Sequence, residues 1–197
     1  MDFQPIILLN EFAGYLLGSI PFGLILTRMA GLGDIRQIGS GNIGATNVLR
    51  TGRKGLAAAT LLLDMAKGFF AVWIAGSLPG GDEALGGFMA VIGHCFPLWL
   101  KFKGGKGVAT LMGVALGLSW PIGAAYALVW LGVLAATRYS SLAGMSAAVS
   151  APIAAIAIGH EVCTIVLALL ALLVLWLHRA NIARLRAGTE PRIGSKA

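Results

Sequence analysis

The stretch VATLMGVALGLSWPIGAAYALVWLGVLAAT, Val108 to Thr137, decides how this chain is folded, and it holds no charged residue. As one unbroken helix at ~1.5 Å per residue it would measure about 44 Å, against a hydrocarbon core of about 30 Å. A single crossing of that length needs steep tilt. Ser119-Trp120-Pro121 interrupts it near the middle, so two shorter helices fit the bilayer better than one. The same test extends to the rest of the chain. A first apolar span runs from Pro5 to Met29. A second runs from Leu56 to Leu78 and ends at the turn Pro79-Gly80-Gly81-Asp82-Glu83. A third follows from Ala84 to Leu100. Leu142 to Leu177 is longer still and carries Gly159-His160-Glu161 where a turn is needed. The expectation is an all-α integral membrane protein of seven transmembrane helices, with residues 1–197 forming one domain.

Composition agrees with that class. The chain is 57% hydrophobic and 12% charged, with a mean hydropathy of +0.84, and no stretch is left for a separate soluble domain. The formal net charge of +7 has a simpler cause than nucleic acid, which is not expected as a partner. Basic residues hold loops in the cytoplasm and attract anionic headgroups. With the N-terminus outside and the C-terminus cytoplasmic, Arg36, Arg50, Arg53, Lys54, Lys101, Lys103, Lys106, Arg138 and the C-terminal basic cluster all fall inside. Asp2, Asp82, Glu83 and Glu161 fall outside, with Glu11 in the outer half of the first helix. A rival reading with five spans puts Arg138 outside. Only Lys67 is a deeply placed basic residue; with Asp64 three positions earlier it reads as an internal ion pair, or second as a wall of a site. Cys95 and Cys163 lack CxxC spacing and read as small buried hydrophobes. The N-terminus has no basic region of the signal-peptide kind, so the first apolar segment is expected to stay as a helix. The pairs Gly14/Gly18 and Gly113/Gly117 read as helix packing faces.

Three polar segments stand out from this background: GSGNIGATNVLR at Gly39–Arg50, FKGGKGVAT at Phe102–Thr110 and HRANIARLRAGTE at His178–Glu190. Each mixes basic residues with Gly, Asn, Ser or Thr, which suits an anion better than lipid or a packed core. In the first, Gly41 and its neighbouring glycines let backbone N–H groups converge. Ser40, Asn42, Thr46 and Asn47 add polar side chains, and Arg50 offers a charge-assisted fork to phosphate. In the second, Gly104, Gly105 and Gly107 flank Lys106 just before a helix, a phosphate-cradling arrangement that is not a P-loop, because Gly107 stands where Ser or Thr is required. In the third, His178, Asn181 and Arg184 have helical spacing, and Glu190 can orient one of the basic groups. Ser140 and Ser141, beside Arg138, can reach the same place. If the helix count holds, all three segments lie on one face of the membrane and form one phosphate-handling site.

The alternatives are bland by comparison: a capped polar connection, a topology anchor, a structural interfacial histidine. His94 and His160 read as structural or topological. No HxxxxD is present, since Trp99, Ile165 and Ala183 follow the three histidines at that spacing. No GxSxG elbow and no carboxylate cluster for a metal is present either, so neither a cofactor nor a metal is expected. A transporter for a phosphorylated metabolite is the competing class, but the chain shows no internal repeat and its anion ligands sit at one surface rather than at the midplane.

These three segments closely resemble the cytoplasmic motifs of the bacterial PlsY acyltransferases. Gly18–Gly23 (GSIPFG), Asp64/Lys67/Gly68 and Gly93-His94-Cys95-Phe96-Pro97 look like further features of that family, and the similarity covers nearly the whole chain. The resemblance implies transfer of a fatty acyl group from acyl phosphate to the 1-hydroxyl of glycerol 3-phosphate, in the bacterial inner membrane, with the site facing the cytoplasm. It also implies acyl phosphate, glycerol 3-phosphate and membrane lipids as partners. A monomer is one expectation for its oligomeric state, which the sequence does not fix. Arg50 and Lys106 would stabilise developing charge; Ser40, Thr46, Ser141 and Asn181 would hold substrates. His178 or a substrate phosphate would take the proton.

Overall fold

A computed structural model describes residues 5–194, with side chains from residue 11 onward. Asp2, expected on the outer side, lies outside the described residues. Ten α-helices and no strand occur among them: α1 (Pro5–Gly18), α2 (Phe22–Met29), α3 (Ala45–Leu49), α4 (Lys54–Ser77), α5 (Glu83–Cys95), α6 (Val108–Leu118), α7 (Trp120–Thr137), α8 (Ser140–Ala157), α9 (Glu161–Leu177) and α10 (Arg179–Arg186).

The breaks have local causes. Pro21 cannot donate to the helix behind it, and α1 and α2 part there while still forming one apolar segment, Glu11–Met29. Ser119 is extended, with φ −166° and ψ 127°, and Pro121 sits in the first turn of α7 where its missing N–H costs nothing. Thus Val108–Thr137 is two helices, as its length demanded. Arg138 adopts left-handed geometry (φ 63°) to turn α7 into α8, and Gly159 (φ 74°) turns α8 into α9. Asp82 caps α5 by accepting from the Leu85 N–H at 3.0 Å.

Five segments are long and apolar enough to cross a membrane: Glu11–Met29, Lys54–Ser77, Glu83–Leu100, Trp120–Thr137 and Ser140–Ala157. α9 and α10, bent by 58° at His178, make a sixth if taken together. α6 has 11 residues and by itself reaches only about half-way through the core at 1.5 Å per residue. Large apolar side chains such as Trp73, Leu128, Leu131, Ile165 and Leu172 point outward. A protein surrounded by water rarely shows such a surface. This is a multi-pass membrane protein whose outer face is solvated by lipid.

Inside, small residues set the spacing. α4 crosses α6 so closely that a Cβ on Gly68 would lie 2.2 Å from the Thr110 carbonyl oxygen, and one on Gly113 would lie 1.8 Å from that of Met65. α1 meets α5 the same way: a Cβ on Gly18 would lie 2.0 Å from the Ala90 carbonyl oxygen. The packing role expected for Gly14/Gly18 and Gly113/Gly117 follows from these contacts. The core they bring together holds Val91, Leu111, Val114, Ile122, Tyr126, Leu167, Leu170 and Val174, and includes Cys95. Both cysteines are free thiols.

Candidate active site

The loop before α4 is built around Asn47. Its buried Nδ2 donates to the carbonyls of Ile35 and Ile38, each at 2.9 Å, and of Asn42 at 2.8 Å. Its Oδ1 accepts from the Ser40 N–H at 3.2 Å. Asn42 in turn accepts from the Gly44 N–H at 3.0 Å. Asn47 and Asn42 therefore spend polar atoms on holding the loop, while Ser40, Thr46 and Arg50 stand exposed at its edge. The Arg50 guanidinium lies 3.5 Å from Asn47 Oδ1, and Gly39 is packed so tightly on both residues that no side chain fits there.

The second segment folds back onto the end of α5. The N–H groups of Gly104 and Gly105 donate to the Cys95 and His94 carbonyls, each at 3.0 Å. A Cβ on Gly104 would lie 2.1 Å from the His94 carbonyl oxygen, and one on Gly105 would lie 2.0 Å from His94 Nε2. These glycines thus give the loop room to dock, and their N–H groups are already engaged. Gly107, at φ 81°, turns the chain into α6. Lys106 points the other way and its Nζ donates to Asn181 Oδ1. That contact joins the second segment to the third.

In the third segment the bend between α9 and α10 presents His178 and Asn181. His178 Nδ1 is 2.8 Å from the Val174 carbonyl. A carbonyl only accepts, so the proton resides on Nδ1 and Nε2 keeps its lone pair. Glu190 is buried and receives three donors: Ser141 Oγ and Asn181 Nδ2, each at 2.6 Å, and Arg184 Nε at 2.7 Å. The tail beyond it is strapped down, since Arg138 Nε and a terminal nitrogen donate to the Ile193 carbonyl at 3.1 and 2.7 Å.

These pieces enclose one cavity of about 120 Å³. Ser40, Asn42, Thr46, Asn47 and Arg50 contribute from the first segment, Lys106 and Gly107 from the second, and Ser141, His178, Asn181 and Glu190 from the rest. Gly41, Gly104, Gly105 and Arg184 were expected among the ligands but do not line it. Gly41 uses its N–H on the Ile38 carbonyl at 3.1 Å, and Arg184 acts through Glu190. Asp64, whose second reading from the sequence is a wall of the site, lines it, as do Leu61, His94 and Trp130, which the sequence does not place there. Asp64 carried a signal, an ionisable residue inside a span. Trp130 carried none.

Charge within the cavity is tuned by burial. Burial pushes the Lys106 ammonium down from its ordinary range, and Arg184, Arg50 and Arg179 add to that, with Glu190 opposing. Burial also pushes His178 down to about 4, aided by Lys106 and opposed by its Val174 contact and by Glu190. His178 is neutral near pH 7. Burial would raise Glu190, but its hydrogen bonds with Ser141, Asn181 and Arg184 outweigh this and hold it below its ordinary value. Among the described residues, no group of three or more His, Cys, Asp and Glu is placed to hold a metal ion.

A second cavity of about 190 Å³, almost wholly apolar, lies next to the first. Leu61, Val108, Ala109 and Trp130 line both, and Met65, Met112 and Leu131 continue it toward the lipid-facing side. A polar chamber and an apolar chamber with a common wall suit a substrate with a charged head and a hydrocarbon tail.

The fold and site define a helical multi-pass membrane protein with a polar cavity beside an apolar one. The family model described as glycerol-3-phosphate acyltransferase matches residues 8–188, and the chain belongs to that family, the PlsY acyltransferases. It is similar to the glycerol-3-phosphate acyltransferase of Erythrobacter litoralis, 62% identical over 183 residues, covering 93% of each chain. The corresponding protein of a Ruegeria species is 59% identical over 193 residues, covering 98% of this chain and 96% of the other. The crystal structure of PlsY, an integral membrane glycerol 3-phosphate acyltransferase, in its glycerol 3-phosphate form superposes with a TM-score of 0.89 at 38% identity, over 95% of this chain and 96% of that one. Its lysophosphatidic acid form gives 0.87 at the same identity, over 95% of each chain.

Proposed function

We propose that the protein transfers a fatty acyl group from acyl phosphate to the 1-hydroxyl of glycerol 3-phosphate. The products are 1-acyl-glycerol 3-phosphate (lysophosphatidate) and inorganic phosphate, and the reaction is the first acylation of bacterial phospholipid synthesis. The observation that carries this reading is the convergence of all three polar segments on one cavity that shares a wall with an apolar chamber. The glycerol hydroxyl oxygen bonds to the acyl carbon, the bond from that carbon to the phosphate oxygen breaks, and phosphate leaves. Arg50 and Lys106 stabilise charge on phosphate and on the carbonyl oxygen. Ser40, Thr46, Ser141 and Asn181 hold the substrates, and Glu190 fixes Ser141 and Asn181. The hydroxyl proton goes to His178 Nε2 or to a substrate phosphate. The chain crosses the inner membrane seven times, with α6 and α9 counted as crossings, the N-terminus outside, and the C-terminus and the site on the cytoplasmic side. The Lys/Arg distribution supports that orientation.

The test is to incubate the purified protein with acyl phosphate and labelled glycerol 3-phosphate. Labelled lysophosphatidate is expected. Its absence, with label taken up by vesicles instead, would replace the reading by transport. Product formed with acyl-CoA or acyl carrier protein, but not with acyl phosphate, would overturn the donor assignment.

A further inference from the structure

A carboxylate is out of place beneath a site for anions, yet Asp64 lines the same cavity as Lys106 and His178. It is 2% exposed, as is its partner Lys67. Lys67 Nζ lies 2.8 Å from Asp64 Oδ1, donates at 2.8 Å to the Ile20 carbonyl in the α1–α2 break, and sits 5.7 Å from the centre of the Phe22 ring. His94 closes the floor. Its Nδ1 is 3.7 Å from Asp64 Oδ1, too far for a hydrogen bond, while its Nε2 backs Gly105. Lys67 does not line the cavity; Asp64 does. The pair is thus oriented, negative end toward the substrates and positive end away from them.

A buried ion pair is a poor way to staple helices. Its desolvation cost rivals its attraction, and apolar side chains of similar volume serve as well or better. Its placement gives it another use. Both proposed substrates and both products carry phosphate, so a site built only of cations would also retain its products. Binding substrate and transition state equally well lowers KM without raising kcat.

We infer that Asp64, paired with Lys67, tempers the phosphate affinity of the site so that anionic products leave. This rests on the acyl-transfer reading for which anions bind there. Lys67 cancels most, but not all, of the repulsion from the carboxylate. Removing either charge therefore shifts affinity in opposite directions, whereas loss of a structural staple weakens binding in both cases.

The experiment is calorimetric titration of the purified full-length protein with glycerol 3-phosphate and with inorganic phosphate. The variants are Asp64→Asn, Lys67→Met and the double variant. Asp64→Asn is expected to bind about threefold tighter or better, Lys67→Met about tenfold weaker, and the double variant tighter than the unmodified protein but by less than Asp64→Asn. Single variants that shift in the same direction, or do not shift, overturn the inference. If one single variant does not fold, the sign of the other decides. If neither folds but the double variant does, the pair is structural and the inference fails. Lysophosphatidate synthesis by the unmodified protein is measured in parallel. Its absence counts against the acyl-transfer reading alone, and its presence with same-sign shifts counts against the tempering role alone.

Discussion

At the scale of single residues, burial weakens the charged forms of two basic groups in the polar cavity, Lys106 and His178. Lys106 is driven toward its neutral form by burial and by nearby arginines, and a phosphate dianion reverses that pressure. Lys106→Ala should lower kcat/KM for glycerol 3-phosphate by about 10²–10³-fold, as loss of a preorganised charge-stabilising group does; Arg50→Ala should act in the same direction, and unchanged kinetics in either would remove these residues from the site. His178, neutral with Nε2 available, is one of the two proposed proton acceptors. His178→Ala should reduce kcat at least about tenfold; near-normal turnover would assign the proton to a substrate phosphate. Stability should follow pH with a definite sign. His178 and Glu190 both have lowered folded-state values, so the folded protein binds fewer protons than the unfolded chain as pH falls. The contribution of His178 is full above its ordinary value near 6.5 and disappears as pH drops toward about 4; that of Glu190 is lost below the ordinary carboxylate range. Melting temperature in detergent should fall from pH 7 to pH 4, and His178→Asn should flatten the upper part of that slope.

At the scale of elements, glycine contacts fix the distances on which the site depends. α4 carries Asp64 and Leu61, α6 begins at the Lys106 loop, and they touch through Gly68 and Gly113. Gly113→Ala would put a methyl group 1.8 Å from the Met65 carbonyl oxygen, so the helices must separate. A loss of about 1–3 kcal/mol is expected, read as a lower thermal midpoint. Gly132, which has open space around it, should tolerate the same change. The helical pattern, the break at Ser119 and the turn at Gly159 were legible because length and a proline or glycine signal act locally. The docking of Gly104 and Gly105 onto His94 was not. Glycines beside a lysine look alike whether their N–H groups await a phosphate or already bond a carbonyl.

At the scale of the whole molecule, the chain is an inward-packed bundle with an apolar outer face, and its polar cavity lies where the three polar segments meet. The proposed seven-crossing arrangement predicts that a membrane-impermeant thiol reagent labels Asp82→Cys and Glu161→Cys in intact cells. Lys103→Cys should react only after lysis, all in a Cys163→Ser background. Glu161→Cys shielded in intact cells would favour the five-span alternative. The three segments were recognisable in advance because basic residues mixed with glycine and amides are conspicuous in a chain with 12% charge.

What the sequence alone determined was the class of protein, the helix breaks and most of the polar side chains at the site. Apolar length, charge sorting and donor-rich motifs are properties of contiguous residues. Only the tertiary structure decided which donors face the cavity and which hold the loops. It turned Asn47 inward, set Arg184 behind Glu190, brought Trp130 and Leu61 to the wall between a polar and an apolar chamber, and put Asp64 rather than Lys67 at the lining of the polar one. Those assignments depend on the angles and separations of helices distant in sequence, and periodicity along one segment carries no information about them.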